Sequence, residues 1–143
     1  MKKVFIKQTN CITPLGFDLV SNWNAIQNLE TGISLQKQFG AFTNIYASCI
    51  NNSEILENFQ RIEKNTADFS RSEKLLISVL KPVIDLNGIE SNTALVLSTT
   101  KGNITSLENN DLEKAYLHNL ANKVAAYFNF KTEPIIISNA CVS

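Results

Sequence analysis

The period of apolar positions changes along the chain, and each change predicts an element. Between Lys3 and Thr9 the sequence alternates around Val4 and Ile6, as a first strand does. Thr13-Pro14-Leu15-Gly16 then reads as a turn, with proline fixing one φ and glycine relaxing another. Asp18 stands where a helix N-cap belongs, ahead of Leu19, Val20, Trp23, Ile26 and Leu29 on one helical face. From Thr31 to Ala67 the pattern weakens. Within it, Thr43 to Ile50 predicts a short strand with Ile45 and Ala47 facing one way, and Ser53 to Gln60 one or two helical turns.

The signal returns at Ser70-Arg71-Ser72-Glu73, a capping box in which hydroxyl and carboxylate satisfy the free amides of a first turn. Leu75, Leu76, Val79, Leu80 and Val83 follow at helical spacing, with Pro82 expected to kink or end the regular helix and Asn87-Gly88 to stop it. Thr93 to Ser98 is continuously apolar and predicts a central strand that ends in a turn, Thr99-Thr100-Lys101-Gly102. Leu107 to Phe130 carries Leu112, Tyr116, Leu120, Val124 and Tyr127 at helical spacing and predicts one long amphipathic helix, with Asn110 and Glu113 as a second possible box. Pro134 to Ser138, with three consecutive isoleucines, predicts a last strand buried on both faces. The alternation of strand and helix predicts an α/β fold with a mostly parallel sheet covered on both sides.

Composition narrows the classes of function. The 143 residues suit one domain or part of one, and 44% hydrophobic residues suffice for a core. Thirteen basic and thirteen acidic residues cancel, and no basic stripe is present, which argues against nucleic acid as the main partner. No apolar run has the length of a bilayer span, and the apolar run after Met1-Lys2-Lys3 ends at Lys7, too soon for a signal peptide. A cytoplasmic location is the expectation.

Cys11, Cys49 and Cys141 are an odd number without short spacing, so neither a disulfide framework nor a zinc site is predicted, and His118 is the only histidine. No metal and no cofactor is expected. Cys11 and Cys49 sit among apolar or β-prone neighbours and read as small core residues. Cys141 differs. It follows Ser138, Asn139 and Ala140, small side chains that suit a sharp turn at the carboxyl end of a strand, where α/β sheets place their chemistry. A helix beginning there would favour the thiolate through its N-terminal amides. Thr99 to Asn103 invites a phosphate-loop reading through its Lys-Gly pair, but the fuller glycine pattern and the hydroxyl after the lysine are missing. His118, flanked by Leu117 and Asn119, has no patterned partner and reads as a helix-surface histidine.

Taken together, the segments resemble the N-terminal half of a β-ketoacyl-acyl carrier protein synthase of the thiolase superfamily. The resemblance is carried by Val4 to Asn10 with Ile12-Thr13-Pro14-Leu15-Gly16, Asp18 and Trp23; by Gly32-Ile33; by Leu97-Ser98-Thr99-Thr100-Lys101-Gly102; and by Ser138-Asn139-Ala140-Cys141-Val142-Ser143, which is similar to the active-site cysteine motif. It is weakest from Ser34 to Ala67. It implies that residues 1–143 are one thiolase-like domain, the first half of a duplicated fold, cut just after the catalytic cysteine.

The resemblance further implies an acyltransferase in which Cys141 holds an acyl thioester and malonyl carried by acyl carrier protein condenses with it, in fatty-acid or polyketide-type synthesis. The two residues, usually histidines, that assist in the family follow the cysteine, so His118 takes no role from it. A homodimer or heterodimer and a second half supplied by further chain are expected, with no membrane insertion. The 143 residues are accordingly expected not to be a self-sufficient enzyme and to leave an apolar strand edge at Ile135 to Ile137. Two other readings stay open: a non-catalytic partner of a condensing enzyme, of the chain-length-factor kind, and an unrelated α/β binding domain.

Overall fold

The computed structural model describes residues 3–139, apart from the side chain of Asn109, as a small mixed α/β domain. Its core is built around two short parallel strands, β3 (Val96–Ser98) and β4 (Ile135–Ile137), paired Val96 with Ile135, Leu97 with Ile136 and Ser98 with Ile137. Strand alternation sends Leu95 and Leu97 to one face, where they meet Leu120, Ala121, Val124 and Ala125 of helix α5 (Leu117–Tyr127), Ile77 of helix α3 (Arg71–Asn87) and Phe59 of helix α2 (Asn52–Gln60). Phe59, Phe69, Tyr127 and Phe128 continue this core as a chain of edge-on aromatic contacts, with centroids 5.0–5.7 Å apart. Nothing among the described residues covers the opposite face fully: Val96, Ile135 and Ile137 are 54%, 53% and 43% exposed. The strand expected to be buried on both faces is thus covered on one.

Local signals act as predicted where they are complete within a few residues. The Ser70 hydroxyl accepts from the Glu73 amide (3.2 Å) and the Glu73 carboxylate accepts from the Ser70 amide (2.8 Å), closing the capping box of α3. Gly88, at φ +70°, ends that helix. Pro82 does not end it, and α3 continues to Asn87. One carbonyl in the turn before the proline, that of Val79, accepts from the Asn10 side-chain amide at 3.0 Å. The other end of Asn10 accepts from the Leu19 amide (3.1 Å), so this residue links the first turn of helix α1 (Leu19–Gln27) to the middle of α3.

Three expectations are revised. The stripe Leu19, Val20, Trp23 and Ile26 does share a face of α1, but that face points to solvent, with Trp23 56% exposed. The buried positions are Asn22 and Ala25. The Asn22 side-chain amide donates to the carbonyls of Gly16 (2.9 Å) and Asp18 (2.7 Å), and its oxygen accepts from the Thr13 hydroxyl, so a polar residue satisfied by the preceding turn takes the inner place. The predicted helix from Leu107 to Phe130 is three pieces: a short 3-10 helix (Ile104–Asn109), α4 (Leu112–Ala115) and α5. Asn110 adopts φ +55°, Asp111 caps α4 by accepting from the Lys114 amide, and Tyr116 is extended, so the regular bonding is interrupted twice. Lys3 to Thr9 joins no ladder among the described residues, and Val4, Phe5 and Ile6 are 93%, 80% and 84% exposed.

The weak central stretch contains an antiparallel hairpin, β1 (Ile33–Phe39) with β2 (Phe42–Ser48), turning at Gly40 (φ +58°). Ile45 and Ala47 of β2 face one way, half-buried, as predicted. β1 was not predicted, although Ile33, Leu35 and Phe39 alternate in its sequence and share the outer face with Phe42 and Tyr46. The sheet expected to be single and mostly parallel is, among the described residues, one parallel pair and one separate antiparallel pair.

Candidate functional site

Parallel pairing brings the carboxyl ends of β3 and β4 side by side, and the Thr99 amide donates to the Ile137 carbonyl at 3.1 Å, one step beyond the ladder. The chain therefore leaves β4 through Ser138 and Asn139 directly alongside the turn that leaves β3. Cys141 lies outside the described residues.

The neighbouring turn is held by side chains from distant sequence. The Thr99 hydroxyl accepts from the amides of Lys101 (3.3 Å) and Gly102 (3.1 Å). Those two amides are consequently engaged within the turn and do not form a phosphate cradle. Gly102 has φ +50°, and a Cβ there would overlap Leu117 Cδ2, so only glycine lets the turn lie this close to α5. The Ser72 hydroxyl donates to the Gly102 carbonyl at 2.9 Å. Asn103 is 1% exposed; its amide donates to Glu73 Oε1 (3.1 Å) and its oxygen accepts from the Ser70 hydroxyl (2.7 Å).

Glu73, itself 3% exposed, is a buried carboxylate with each oxygen occupied: Oε1 by Asn103, Oε2 by the Ser70 amide and the Lys123 ammonium at 3.3 Å. Lys123 also donates to the Asp68 carbonyl and lies 4.9 Å from the centre of the Phe69 ring. A carboxylate this buried is tolerated only with such partners, because an uncompensated one costs several kcal/mol. Sequence reasoning found Glu73 as a local cap. Its second role, joining α3 to a turn thirty residues away, carries no sequence signal.

The other candidates fall elsewhere. His118 is exposed on α5 and stacks on Tyr116, with ring centroids 5.4 Å apart. Cys11 and Cys49, expected to be core residues, are half-buried free thiols. Among the described residues, no group of three His, Cys, Asp or Glu side chains is placed to hold a metal ion, and no helix is long and apolar enough to cross a membrane. A cavity of about 630 Å³ opens between α2, the start of α3 and the segment from Thr105 to Lys114. Its lining holds three cations, Arg71, Lys74 and Lys114, against three carboxylates, Asp68, Glu108 and Asp111. Lys114 pairs with Asp111 at 2.9 Å, and hydrogen bonds from the Lys114 side chain and amide hold the Asp111 carboxyl below its usual range. Such a balanced lining favours neither an anion nor a cation. The strand ends therefore remain the candidate site. No family model matches the chain, and no curated protein matches it significantly.

Proposed function

We propose that the protein acts as the nucleophile-bearing part of a β-ketoacyl-acyl carrier protein synthase with a thiolase-like fold. The observation that supports this reading is the parallel β3–β4 pair, whose carboxyl ends lie together, so that Ile137, four residues before Cys141 in the sequence, meets the start of the Thr99–Asn103 turn. Open α/β sheets put reactive groups at that end. In the proposed reaction the Cys141 thiolate attacks an acyl thioester, its new carbon–sulfur bond forming as the donor thiolate leaves and takes a proton. Malonyl on acyl carrier protein then loses carbon dioxide, and the electron pair left on carbon attacks the acyl group, breaking the bond to Cys141 and restoring the thiolate. The product is two carbons longer.

The uncovered face of Val96, Ile135 and Ile137 supports a protein partner in a homodimer or heterodimer, since parallel strands in α/β folds are buried on both faces. The second thiolase-like half would complete the oxyanion hole. A cytoplasmic enzyme of fatty-acid or polyketide-type synthesis, served by acyl carrier protein, is the corresponding setting. The test is intact mass after incubation with an acyl thioester. One acyl group on Cys141, absent in Cys141→Ser, is the expected result, with carbon dioxide released from malonyl thioester only once the second thiolase-like half is supplied. Acylation spread evenly over Cys11, Cys49 and Cys141, or no acylation, refutes the proposal.

A further inference from the structure

The cavity between α2, the start of α3 and the Thr105–Lys114 segment is separate from the strand ends, and most of its charges are not paired with one another. Of its three cations only Lys114 forms an ion pair among the described residues, with Asp111. Arg71 and Lys74 stand at the first and fourth positions of α3, one helical turn apart, and neither lies within 4.0 Å of a carboxylate oxygen among the described residues. The Arg71 guanidinium is fixed by neutral oxygens instead: it donates through Nε to Asn52 Oδ1 (2.9 Å) and through a terminal nitrogen to the Ile50 carbonyl (2.8 Å). Its position is thus held while its charge is not neutralised, and further N–H donors stay available. Glu108 and Asp68, on the same lining, likewise have no cation within that distance of their carboxylates among the described residues. Through water, charges at such separations attract one another by about 1 kcal/mol or less. They are therefore open to a ligand that brings a counter-charge into contact. Ile55, Leu56 and Phe69 supply apolar wall. Ser106 also lines the cavity at 8% exposure, and its hydroxyl has no hydrogen-bond partner among the described residues. A hydroxyl so enclosed is a group that an occupant can satisfy. The volume of about 630 Å³ is of the size that holds small molecules.

We propose that this cavity is a binding site for a free α-amino acid with an apolar side chain, its carboxylate on Arg71 and Lys74 and its ammonium on Glu108 and Asp68. The side chain lies against Ile55, Leu56 and Phe69. A lining with equal numbers of cations and carboxylates favours neither a simple anion nor a simple cation, but it matches a molecule that carries both signs. The site stands on its own geometry and is independent of the reading of Cys141.

The test is calorimetric titration of the 143-residue chain with L-leucine and with L-phenylalanine, then with the tighter probe's analogues that lack either the ammonium or the carboxylate. Saturable binding of one amino acid per chain is expected, with each analogue weaker by about tenfold. Lys74→Met and Glu108→Gln then assign the two ends. Lys74 is half-buried and Glu108 exposed, so neither substitution disturbs the core. In Glu108→Gln the advantage of the amino acid over its ammonium-free analogue should shrink by about threefold or more, and in Lys74→Met its advantage over the carboxylate-free analogue should shrink likewise. No saturable binding of either amino acid below about 10 mM overturns the proposal. An analogue with one charge that binds as tightly as the amino acid overturns it as well, since the cavity then reads only one end. So does amino-acid binding that both substitutions leave unchanged, which would place the ligand elsewhere on the chain.

Discussion

Replacing Gly102 with alanine separates the two physical demands made on the turn beside the candidate site. The first is conformational: φ +50° places an L-residue in the left-handed region, which costs about 1–2 kcal/mol. The second is steric: the added Cβ overlaps Leu117 Cδ2, and swinging that half-buried side chain off its rotamer costs roughly 0.5–1.5 kcal/mol. Together they give a loss of about 1.5–3.5 kcal/mol, or a fall in Tm of roughly 5–12 °C for a domain of this size. Gly40→Ala supplies the reference. Gly40 has φ +58° but nothing within 4 Å of its virtual Cβ, so only the conformational cost applies. Urea unfolding of both single variants, of Leu117→Ala and of the double variant Gly102→Ala/Leu117→Ala checks the division. The double variant should recover about 1 kcal/mol relative to additivity, because the steric conflict disappears with the leucine side chain. If Gly102→Ala costs no more than Gly40→Ala and the cycle is additive, the turn is not packed on α5 as described.

Two further outcomes test the packing and the electrostatics. Leu120→Ala, at a 1% exposed core position, should cost about 2–5 kcal/mol in urea unfolding, whereas Trp23→Ser on the solvent face of α1 should stay within about 0.5 kcal/mol; equal losses would mean that α1 buries the opposite face. Hydrogen bonds from the Ser21 amide and hydroxyl hold the Asp18 carboxyl below its ordinary range, so the charge-dependent part of its cap, a fraction of a cap's roughly 1 kcal/mol at this solvent-screened site, is present above about pH 4 and is lost as pH falls through the lowered folded-state pKa. Asp18→Asn keeps a capping oxygen without the titration, so the difference in stability between parent and variant should change only in that acidic window, as read from urea midpoints at stepped pH.

The elements legible in the sequence are those whose causes lie within one or two turns of chain. Ser70 and Glu73 cap α3, Asp18 caps α1, Gly88 stops α3 and Ile135 to Ile137 form a strand because each needs only near neighbours to act. The misread elements depended on distant partners. The apolar spacing from Leu112 to Tyr127 satisfied a helical period, yet of that series Leu120, Val124 and Tyr127 reach the core while Leu112 and Tyr116 stay exposed, and Asn110 and Tyr116 broke the run. Trp23 looked inward by hydrophobicity, but Asn22 had hydrogen-bond partners on the Thr13–Gly16 turn that spacing alone does not display. In the candidate site, residue identity drew attention to the Thr99–Asn103 turn, while its attachment to Glu73 and Ser72 arises from contacts across thirty residues.

By itself, then, the sequence determined the caps, the turns, the helical and strand periods and the run of small residues before Cys141, because propensity, backbone restriction and hydrogen bonding between near neighbours act without the rest of the fold. Tertiary structure decided which apolar faces are covered, which strands pair and in which direction, and which polar groups are buried together. Those outcomes follow from competition for a single core and from the need to satisfy every buried donor and acceptor, and both are settled among residues that are remote in the chain.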